Sequence, residues 1–348
     1  MDVSASPNSK SCDLNECIEA SRTSSRISSW PFLLYGLLLF GLGAVLYSAA
    51  GGLYSILFLL GKPKPPAMLV SFGLAGGAAV VLGLASALFD LFILLPGKRQ
   101  RRLVAFKELA DRHMTVVLTA YNDELSIGDS VADFLGHPLV RRVVVIDNAS
   151  NDRTAEVARR AGAVVVIETQ PGYGKCVYRA LREGLAYGDT ELTLLCEGDG
   201  TFRSFDIDKF MAYIPHSQIV NGTRIVEQLR DRDTQLSTFM YYGNFAVGKL
   251  LEAKYIGQGT FTDVGTTYKL CRNAVIRRLL PALDSNINLE FNAHFLDTVL
   301  RHRISLVECP ITFHKRVGVS KGGNTNNWRA LRVGLRMIGG ILFSWKHL

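Results

Sequence analysis

Two long runs of hydrophobic residues dominate the first third of the chain. Residues 30–61 contain no charged side chain, and residues 68–96 contain only Asp90, near their end. Each run exceeds the ~20 residues that a helix needs to cross the hydrocarbon core of a bilayer. A buried soluble helix and a cleaved signal peptide fit less well, because the runs are long and a polar segment precedes the first. The pattern predicts a transmembrane hairpin with spans at about 32–60 and 68–95.

Basic residues indicate which way the hairpin is oriented. The densest basic cluster near either span, GKRQRR, directly follows the second span and opens a basic juxtamembrane linker, 97–113. Because such residues stay on the cytoplasmic side, the linker and the domain after it are expected in the cytoplasm. A hairpin returns the chain to the same side. Residues 1–29, rich in Ser and Asn, are therefore predicted to be a disordered cytoplasmic tail of an integral membrane protein. The membrane would be a cell membrane or one of endoplasmic-reticulum type.

Small residues recur every four positions in the second predicted span, at Ala75, Ala79, Gly83 and Ala87. A stripe of small residues allows a second helix to approach closely. The alternative is the ordinary small-residue content of membrane helices, and the sequence leaves both open. Association of two copies through these helices, giving a homo-oligomer, is one expectation.

From about residue 114 the pattern changes to short β-branched runs that alternate with helical stretches. The runs predict strands at 114–120, 142–148, 163–168 and 192–197, and helices are predicted at 126–135, 153–161 and 173–187. Strands and helices at this spacing predict a parallel sheet with helices on both faces. In such sheets, ligands bind at the carboxyl ends of the strands.

Acidic residues stand at several of these predicted strand ends. The fourth strand runs into EGDG, which places Glu197 and Asp199 two residues apart, and the first two strands run into TAYNDE and DNASND. One interpretation is a set of ordinary polar turns, which favour Asp and Asn. The other is a site for a divalent cation and an anionic ligand, because Mg²⁺ and Mn²⁺ prefer oxygen ligands and need only one or two carboxylates.

Composition narrows the class of ligand. The 348 residues are 48% hydrophobic and carry a formal net charge of +8, which favours anionic partners such as phosphates or a membrane surface. A nucleic-acid partner is not expected, since no recognition motif is present. The six cysteines form neither a Cys-x-x-Cys pair nor a zinc-site spacing, so reduced thiols are expected.

Six motifs in order, between about 114 and 321, resemble those of inverting family 2 glycosyltransferases, whose nucleotide-sugar-binding GT-A fold is a Rossmann-like α/β domain with a mixed sheet. They are TAYNDE, IDNASNDRT, PGYGKCVYRALREGL, EGDG, TDVGTTYKLCRNAV and HKRVGVSK. The last two are most similar to the transferases that act on dolichyl or polyprenyl phosphate. The sequence departs from the family pattern at Thr119, Asn148, Ala149 and Glu197.

The resemblance implies roles on the donor side of a site. Asp199, and secondly Glu197, would bind Mg²⁺ or Mn²⁺ at the diphosphate, where the cation stabilises the leaving group as a Lewis acid. Lys175 also opens a predicted helix, and a helix N-terminus favours anions. Nucleotide-sugar binding is expected from Ala120, Tyr121, Glu124, Asp147, Lys175, Gly198, Arg316 and Lys321.

The resemblance also implies an acceptor side. Arg224, Arg316 and Lys321 would bind an acceptor phosphate, because cationic side chains match phosphate oxygens. Asp199, Asp263 and Arg224 are the predicted catalytic residues. Asp263 would act as a base toward a sugar hydroxyl. A phosphate acceptor is already anionic near pH 7 and needs little base, so Asp263 would then orient a substrate. A turn-capping role for Asp263 is the alternative.

The predicted glycosyltransferase domain covers 114–324, and an amphipathic helix is predicted over 325–348. That helix carries arginines on one face and leucines on another, as interfacial helices do; a surface helix packed on the domain is the alternative.

The leading hypothesis for the whole chain is transfer of one sugar from a GDP-mannose or UDP-glucose type donor to polyprenyl (dolichyl) phosphate on the cytoplasmic face. The alternatives are transfer to a sugar hydroxyl of a cell-surface glycan or glycolipid, and an inactive membrane scaffold of the same fold. A processive polysaccharide synthase would carry a Gln-x-x-Arg-Trp motif, which the sequence lacks.

Overall fold

A computed structural model describes residues 30–99, 106–318 and 327–345. The predicted tail, 1–29, and Lys321 lie outside the described residues. The described chain forms two compact units. One contains residues 30–99 with 252–258, and the other contains 106–251 with 259–318 and 327–345.

The first unit contains the predicted helical hairpin. The first helix, α1, is Phe32–Leu59, and the second, α2, is Ala67–Phe89; a π-helical turn, Asp90–Leu94, and a short helix, α3, Leu95–Lys98, continue it. Both long helices are apolar enough to cross a membrane, with hydropathies of 2.0 and 2.4, and most of their large apolar side chains are exposed. The predicted pair of apolar helices before the α/β domain is confirmed.

The stripe of small residues in α2 packs against α1 except at Ala75, which is exposed. Gly83 and Ala87 are buried, and an added Cβ at Gly83 would lie 2.5 Å from the backbone N of Phe40. At Gly43 of α1, an added Cβ would lie 2.8 Å from the Cβ of Ala79. The partner of the stripe is therefore the other helix of the same hairpin. Association between two copies stays a prediction.

Asp90, the one charged residue of the second run, is buried where the π-helical turn begins. Its carboxylate accepts the backbone N–H of Leu33 at 2.7 Å and pairs with Lys98 Nζ at 2.7 Å. A π-turn inside an α-helix re-aims the side chains that follow it. Asp90 thus joins the start of α1 to the end of the second helical segment.

The second unit is built on a seven-stranded sheet in the order β3-β2-β1-β4-β6-β5-β7. Strands β1 to β4 are parallel, as predicted, whereas β6 runs antiparallel to both β4 and β5, so the sheet is mixed. The strands are Met114–Ala120, Val140–Asp147, Val164–Ile167, Leu192–Glu197, Ile219–Thr223, Lys269–Arg272 and Leu306–Pro310.

The remaining helices, α4 to α11, belong to this unit apart from the last three residues of α8. They are Ile127–Leu135, Thr154–Arg160, Tyr173–Gly184, Asp206–Tyr213, Thr238–Lys254, Asn273–Leu279, Phe291–Arg301 and Asn327–Phe343. The core lies around the central strands, where every residue of β1 is buried. Tyr268 is fully buried there, and its ring packs against the rings of Phe210 and Phe202 at 4.8 and 5.2 Å. The apolar runs form central strands because each is covered on both faces.

The predicted C-terminal helix is present as α11, and its two ends differ. Toward its end Met337 and Ile341 are buried, and Trp345 beyond it donates from Nε1 to Asp297 Oδ2 at 3.1 Å. Trp328, at its start, is 79% exposed, and Leu335 is 59% exposed. The end of α11 therefore packs on α10, and a membrane-interfacial role for its exposed face stays a prediction.

A test of the hairpin packing is Gly83→Ala, with Gly77→Ala in the same helix as control. A Cβ at position 83 would overlap the α1 backbone, whereas at position 77 the nearest atom is a Tyr47 ring carbon at 3.7 Å. We expect Gly83→Ala to destabilise the protein by about 1–3 kcal/mol, as overpacking does. The measurement is the unfolding temperature of the full chain in detergent, and equal values for the two variants would contradict the packing.

Candidate active site

The carboxyl ends of three parallel strands meet at one edge of the sheet. Ala120 at the end of β1 pairs with Asp147 at the end of β2, and Thr119 pairs with Glu197 at the end of β4. The turns that follow these strands therefore lie side by side. The structure brings together the acidic strand ends that the sequence places far apart.

Asp199 is buried directly beyond β4. Its Oδ1 accepts hydrogen bonds from the Thr201 backbone N–H at 3.0 Å and the Thr201 hydroxyl at 2.5 Å, and its Oδ2 lies 3.1 Å from Arg316 Nη1. Burial, and secondly the charge of Glu197, raise the pKa of Asp199 to about 7, against the opposing effect of Arg316. A carboxyl group in this state favours additional positive charge beside it.

Arg316 joins two strand ends. Besides Asp199, its guanidinium contacts Asp123 Oδ1 through Nη2 at 2.9 Å, and Asp123 Oδ2 accepts the Tyr121 backbone N–H at 3.0 Å. The backbone N–H of Val317 donates to the Asp199 carbonyl at 3.2 Å, which fixes the loop that carries Arg316. Arg316 lies between carboxylates from the turns after β1 and β4, and its diphosphate-binding role stays a prediction.

Glu197 faces the strand beside it. Its Oε1 accepts the Thr267 hydroxyl at 2.6 Å and lies 3.4 Å from the Tyr173 hydroxyl. In the antiparallel pairing of β4 with β6, Leu195 is opposite Lys269, and the same register continued by two residues places Thr267 opposite Glu197. The two acids of EGDG therefore have different surroundings, because Asp199 pairs with an arginine and Glu197 with hydroxyl groups.

Arg224 and Asp263 form a buried, two-pronged ion pair. Nε and Nη2 of Arg224 donate to Oδ2 and Oδ1 of Asp263 at 2.7 and 2.8 Å. The backbone N–H groups of Arg224 and Gly265 also donate to this carboxylate. Burial would raise the pKa of Asp263, but Arg224 and these hydrogen bonds lower it below its ordinary value. Asp263 is thus held as a carboxylate with both oxygens engaged.

Glu308 supports this pair from the last strand. Its carboxylate accepts the Thr262 hydroxyl at 2.6 Å and the Thr262 and Asp263 backbone N–H groups. Burial raises the pKa of Glu308. The loop that carries Asp263 is therefore tied to the end of the sheet.

The other residues predicted to bind the nucleotide-sugar lie around the same edge and differ in their exposure and hydrogen bonds. Tyr121 is 42% exposed, and the Asp147 carboxylate accepts the Ser150 backbone N–H at 3.3 Å. Glu124 accepts the backbone N–H and Nε of Arg153. Lys175 Nζ lies 2.8 Å from Asn286 Oδ1, in the loop before α10. Their predicted roles in nucleotide-sugar binding stay predictions.

Position 198 requires a glycine because the side chain of Ile127 approaches its backbone closely. An added Cβ would lie 2.4 Å from Ile127 Cδ1, and the Gly198 carbonyl accepts the hydroxyls of Ser126 and Ser130 at 3.0 and 3.2 Å. The start of α4 thus packs directly under the acidic turn. Any side chain at position 198 would push that turn away from the helix.

The acidic turn fits a divalent cation by its chemistry. Asp199 and Glu197 offer carboxylate oxygens, the ligands that Mg²⁺ and Mn²⁺ prefer. A bound cation would offset the two effects that raise the pKa of Asp199, which are burial and, secondly, the charge of Glu197. Among the described residues, no group of three His, Cys, Asp or Glu side chains is placed to hold a metal. A cation here would therefore depend on these two carboxylates, on waters and on ligand oxygens.

Several residues of this edge are absent from the sequence prediction. Asp123 lies in TAYNDE, where Glu124 is the acid predicted to bind the nucleotide-sugar. The sequence gives no distinct signal for Lys269, because its strand, KLCR, carries a charged residue at each end. The others, Tyr173, Thr267, Asn292 and Glu308, reach the site only through contacts distant in sequence.

Buried carboxylates and arginines at the carboxyl ends of a mixed α/β sheet define the class: a domain suited to a phosphorylated ligand and a cation. Residues 115–280 match the family model described as glycosyl transferase family 2. Over that segment, just under half of the chain, the protein is similar to family 2 glycosyltransferases, and together with its glycosyltransferase relatives the match indicates a transferase. The match and the seven-stranded mixed sheet confirm the predicted GT-A fold.

Two relatives and one solved structure illustrate the similarity. The chain is 28% identical over 209 residues to a dolichyl-phosphate hexose transferase of Haloferax volcanii, across 60% of this chain and 86% of that one. It is 35% identical over 117 residues to an uncharacterized glycosyltransferase of Mycobacterium tuberculosis, and spans 50% of its length. The crystal structure of a mycobacterial protein aligns at 18% identity with a TM-score of 0.50, over 68% of this chain and 75% of that one. This last likeness concerns the fold alone.

The raised pKa of Asp199 predicts a pH-dependent stability of the metal-stripped protein. A carboxyl group whose pKa rises on folding stabilises the folded state at low pH and loses that contribution as the pH rises through the folded pKa. In chelator we expect the unfolding temperature to fall between about pH 4 and pH 7. Asp199→Asn should flatten this part of the profile, and an identical slope in the variant would contradict the assignment.

Proposed function

We propose that this glycosyltransferase moves one hexose from a nucleotide-diphosphate sugar to the phosphate of a polyprenyl (dolichyl-type) lipid, at the cytoplasmic face of a membrane. The name of the Haloferax volcanii relative supports a lipid-phosphate acceptor. The two apolar helices in the same chain support a membrane setting, and the basic cluster after the second one supports the cytoplasmic orientation.

The state of Asp263 carries the proposal. Transfer to a sugar hydroxyl needs a base, and Asp263 is the acid predicted for that role. Both of its oxygens are engaged by Arg224, and its pKa is lowered, which makes it a weak base. A phosphate monoester is already anionic near neutral pH and needs no deprotonation. The geometry therefore favours a phosphate acceptor over a hydroxyl acceptor.

Arg224 has the chemistry to receive such a phosphate. Nε and Nη2 hold Asp263, whereas Nη1 makes no hydrogen bond to any residue that the structure describes. The Asp263 carboxylate fixes the plane of the guanidinium, so Nη1 is oriented in advance. An oriented guanidinium binds a phosphate oxygen with little loss of side-chain entropy.

On the donor side, Asp199 and Glu197 would hold Mg²⁺ or Mn²⁺, which supplies Lewis-acid stabilisation of the departing diphosphate. Arg316 adds a positive charge beside Asp199. Electrostatic stabilisation of this kind is strongest when the charged groups are fixed before reaction. Asp123 and Asp199 fix Arg316 from two sides, so its charge needs no rearrangement when the diphosphate leaves.

The acceptor is tested with membranes that contain the full chain, a panel of radiolabelled nucleotide-sugars, and either polyprenyl phosphate or the corresponding alcohol. We expect label in the lipid phase with the phosphate only, in a product from which mild acid releases the hexose. Label in an acid-stable glycolipid would favour the hydroxyl-acceptor alternative. The absence of label in lipid with every donor would exclude the proposal.

Substitutions distinguish the roles of the two acids, Asp199 and Glu197. We expect Asp199→Ala to lower the rate of transfer at least about a hundred-fold, since it removes the predicted cation ligand that opposes charge on the leaving group. Glu197→Asp should retain transfer, because it keeps a carboxylate at that position. Asp208→Ala, on an exposed acid, is the matched control and should behave as wild type. Full activity of Asp199→Ala in the same assay would show that the cation site lies elsewhere.

A further inference from the structure

Lys269 is a fully buried lysine in β6, beside the acidic turn. Burial lowers its pKa to about 8, against the charges of Asp263 and other neighbours. Its Nζ donates to the Thr266 carbonyl and lies 3.5 Å from Asn292 Oδ1. A buried ammonium group is costly to keep, so its contacts point to a role beyond packing.

The contacts of Asn292 fix which way its amide faces. An ammonium group can only donate and a backbone carbonyl can only accept. Oδ1 therefore faces Lys269, and Nδ2 faces the Gly265 carbonyl at 3.1 Å. Nδ2 then also donates to the Tyr173 hydroxyl at 2.9 Å.

The donor-to-acceptor direction of the hydrogen bonds continues from Tyr173 to Glu197. Since the Tyr173 oxygen accepts from Asn292, its own proton is directed to Thr267 Oγ1, with which it forms a short contact. The Thr267 proton in turn is directed to Glu197 Oε1 at 2.6 Å. A chain of donors therefore runs from Lys269 through Asn292, Tyr173 and Thr267 to Glu197, with a direct contact between Asn292 Nδ2 and Thr267 Oγ1 at 3.2 Å beside it.

This chain of hydrogen bonds makes the two oxygens of Glu197 unequal. Oε1 is held by the Thr267 hydroxyl, whereas Oε2 makes no hydrogen bond within the described part of the protein. The carboxylate is thereby fixed in one orientation. Oε2 is therefore the oxygen more available to a cation at the acidic turn, and Glu197 would bind it mainly through that oxygen.

We propose that Lys269 is a positioning residue, which acts through Asn292, Tyr173 and Thr267 to orient Glu197 as a ligand that binds a divalent cation mainly through Oε2. The inference rests on the proposed metal-dependent function. It concerns the donor side only, and the nature of the acceptor does not enter it.

The test is a titration of the chelator-stripped full chain in detergent with Mn²⁺, in which free Mn²⁺ is measured by electron paramagnetic resonance. Thr267→Val keeps the shape of the side chain and removes the hydroxyl next to Glu197. We expect it to raise the dissociation constant for Mn²⁺ about ten-fold, the effect of one hydrogen bond to a charged group. Lys269→Met should raise it in the same direction.

Two controls separate this role from a structural one. Thr267→Ser keeps the hydroxyl and should bind Mn²⁺ as wild type does. Thr115 lies in the first half of β1, and its buried hydroxyl forms a hydrogen bond with the hydroxyl of Thr190. Thr115→Val removes that hydroxyl and should lower the unfolding temperature without changing the dissociation constant for Mn²⁺. The double variant Lys269→Met/Thr267→Val should bind no more weakly than the weaker single variant, because both changes break one chain.

Each of three results would overturn the proposal. The first is wild-type affinity in Thr267→Val, and the second is a double variant in which the two effects on the dissociation constant multiply fully. The third is a wild-type protein that binds no Mn²⁺. A failure to label polyprenyl phosphate would leave it standing, because the titration involves no acceptor. The two proposals therefore fail separately.

Discussion

Burial of negative charge at the carboxyl edge of the sheet is the constraint on which the rest of this site depends. The turn after β4 and the loop before β6 place Asp199 and Asp263 in the protein interior, where an unpaired carboxylate is strongly disfavoured. Arg316 and Arg224 make this burial tolerable, and each is held in place by its own partners. The loops after β5 and β7 are accordingly positioned by the charges that they bring to the edge.

Because the charges are paired before any ligand arrives, the site is preorganised. The Thr262 loop is held by Glu308, and the Gly198 turn is held by the hydroxyls of Ser126, just before α4, and Ser130, within it. Fixed dipoles and charges in a water-poor setting are more effective than the same groups in solvent, since they need not reorganise during reaction. The rigidity of the loops and the electrostatics of the site are thus two results of the same contacts.

The sequence was informative where local pattern decides structure. Continuous apolar runs gave β1 and β4 with their bounds, and two uncharged runs gave the helical hairpin. The edge strand β3 is shorter than predicted and partly exposed, because an edge position constrains its pattern less. The reversed direction of β6 and the pairing of Arg316 with Asp123 arise from contacts between distant segments. The pattern of hydrophobic and polar residues does not predict such contacts, so Tyr173, Thr267 and Asn292 could not be assigned to the site from the sequence.

The reversed strand β6 also bears on how such a domain can change over evolution. Between β4 and β6 the chain leaves the centre of the sheet, forms α7, β5 and α8, and returns beside the strand that it left. That excursion begins and ends at neighbouring positions, so its length can vary without altering the register of the two strands. Loops inside the excursion could therefore change in length while its two ends, which carry Asp199 and Asp263, stay at one edge of the sheet.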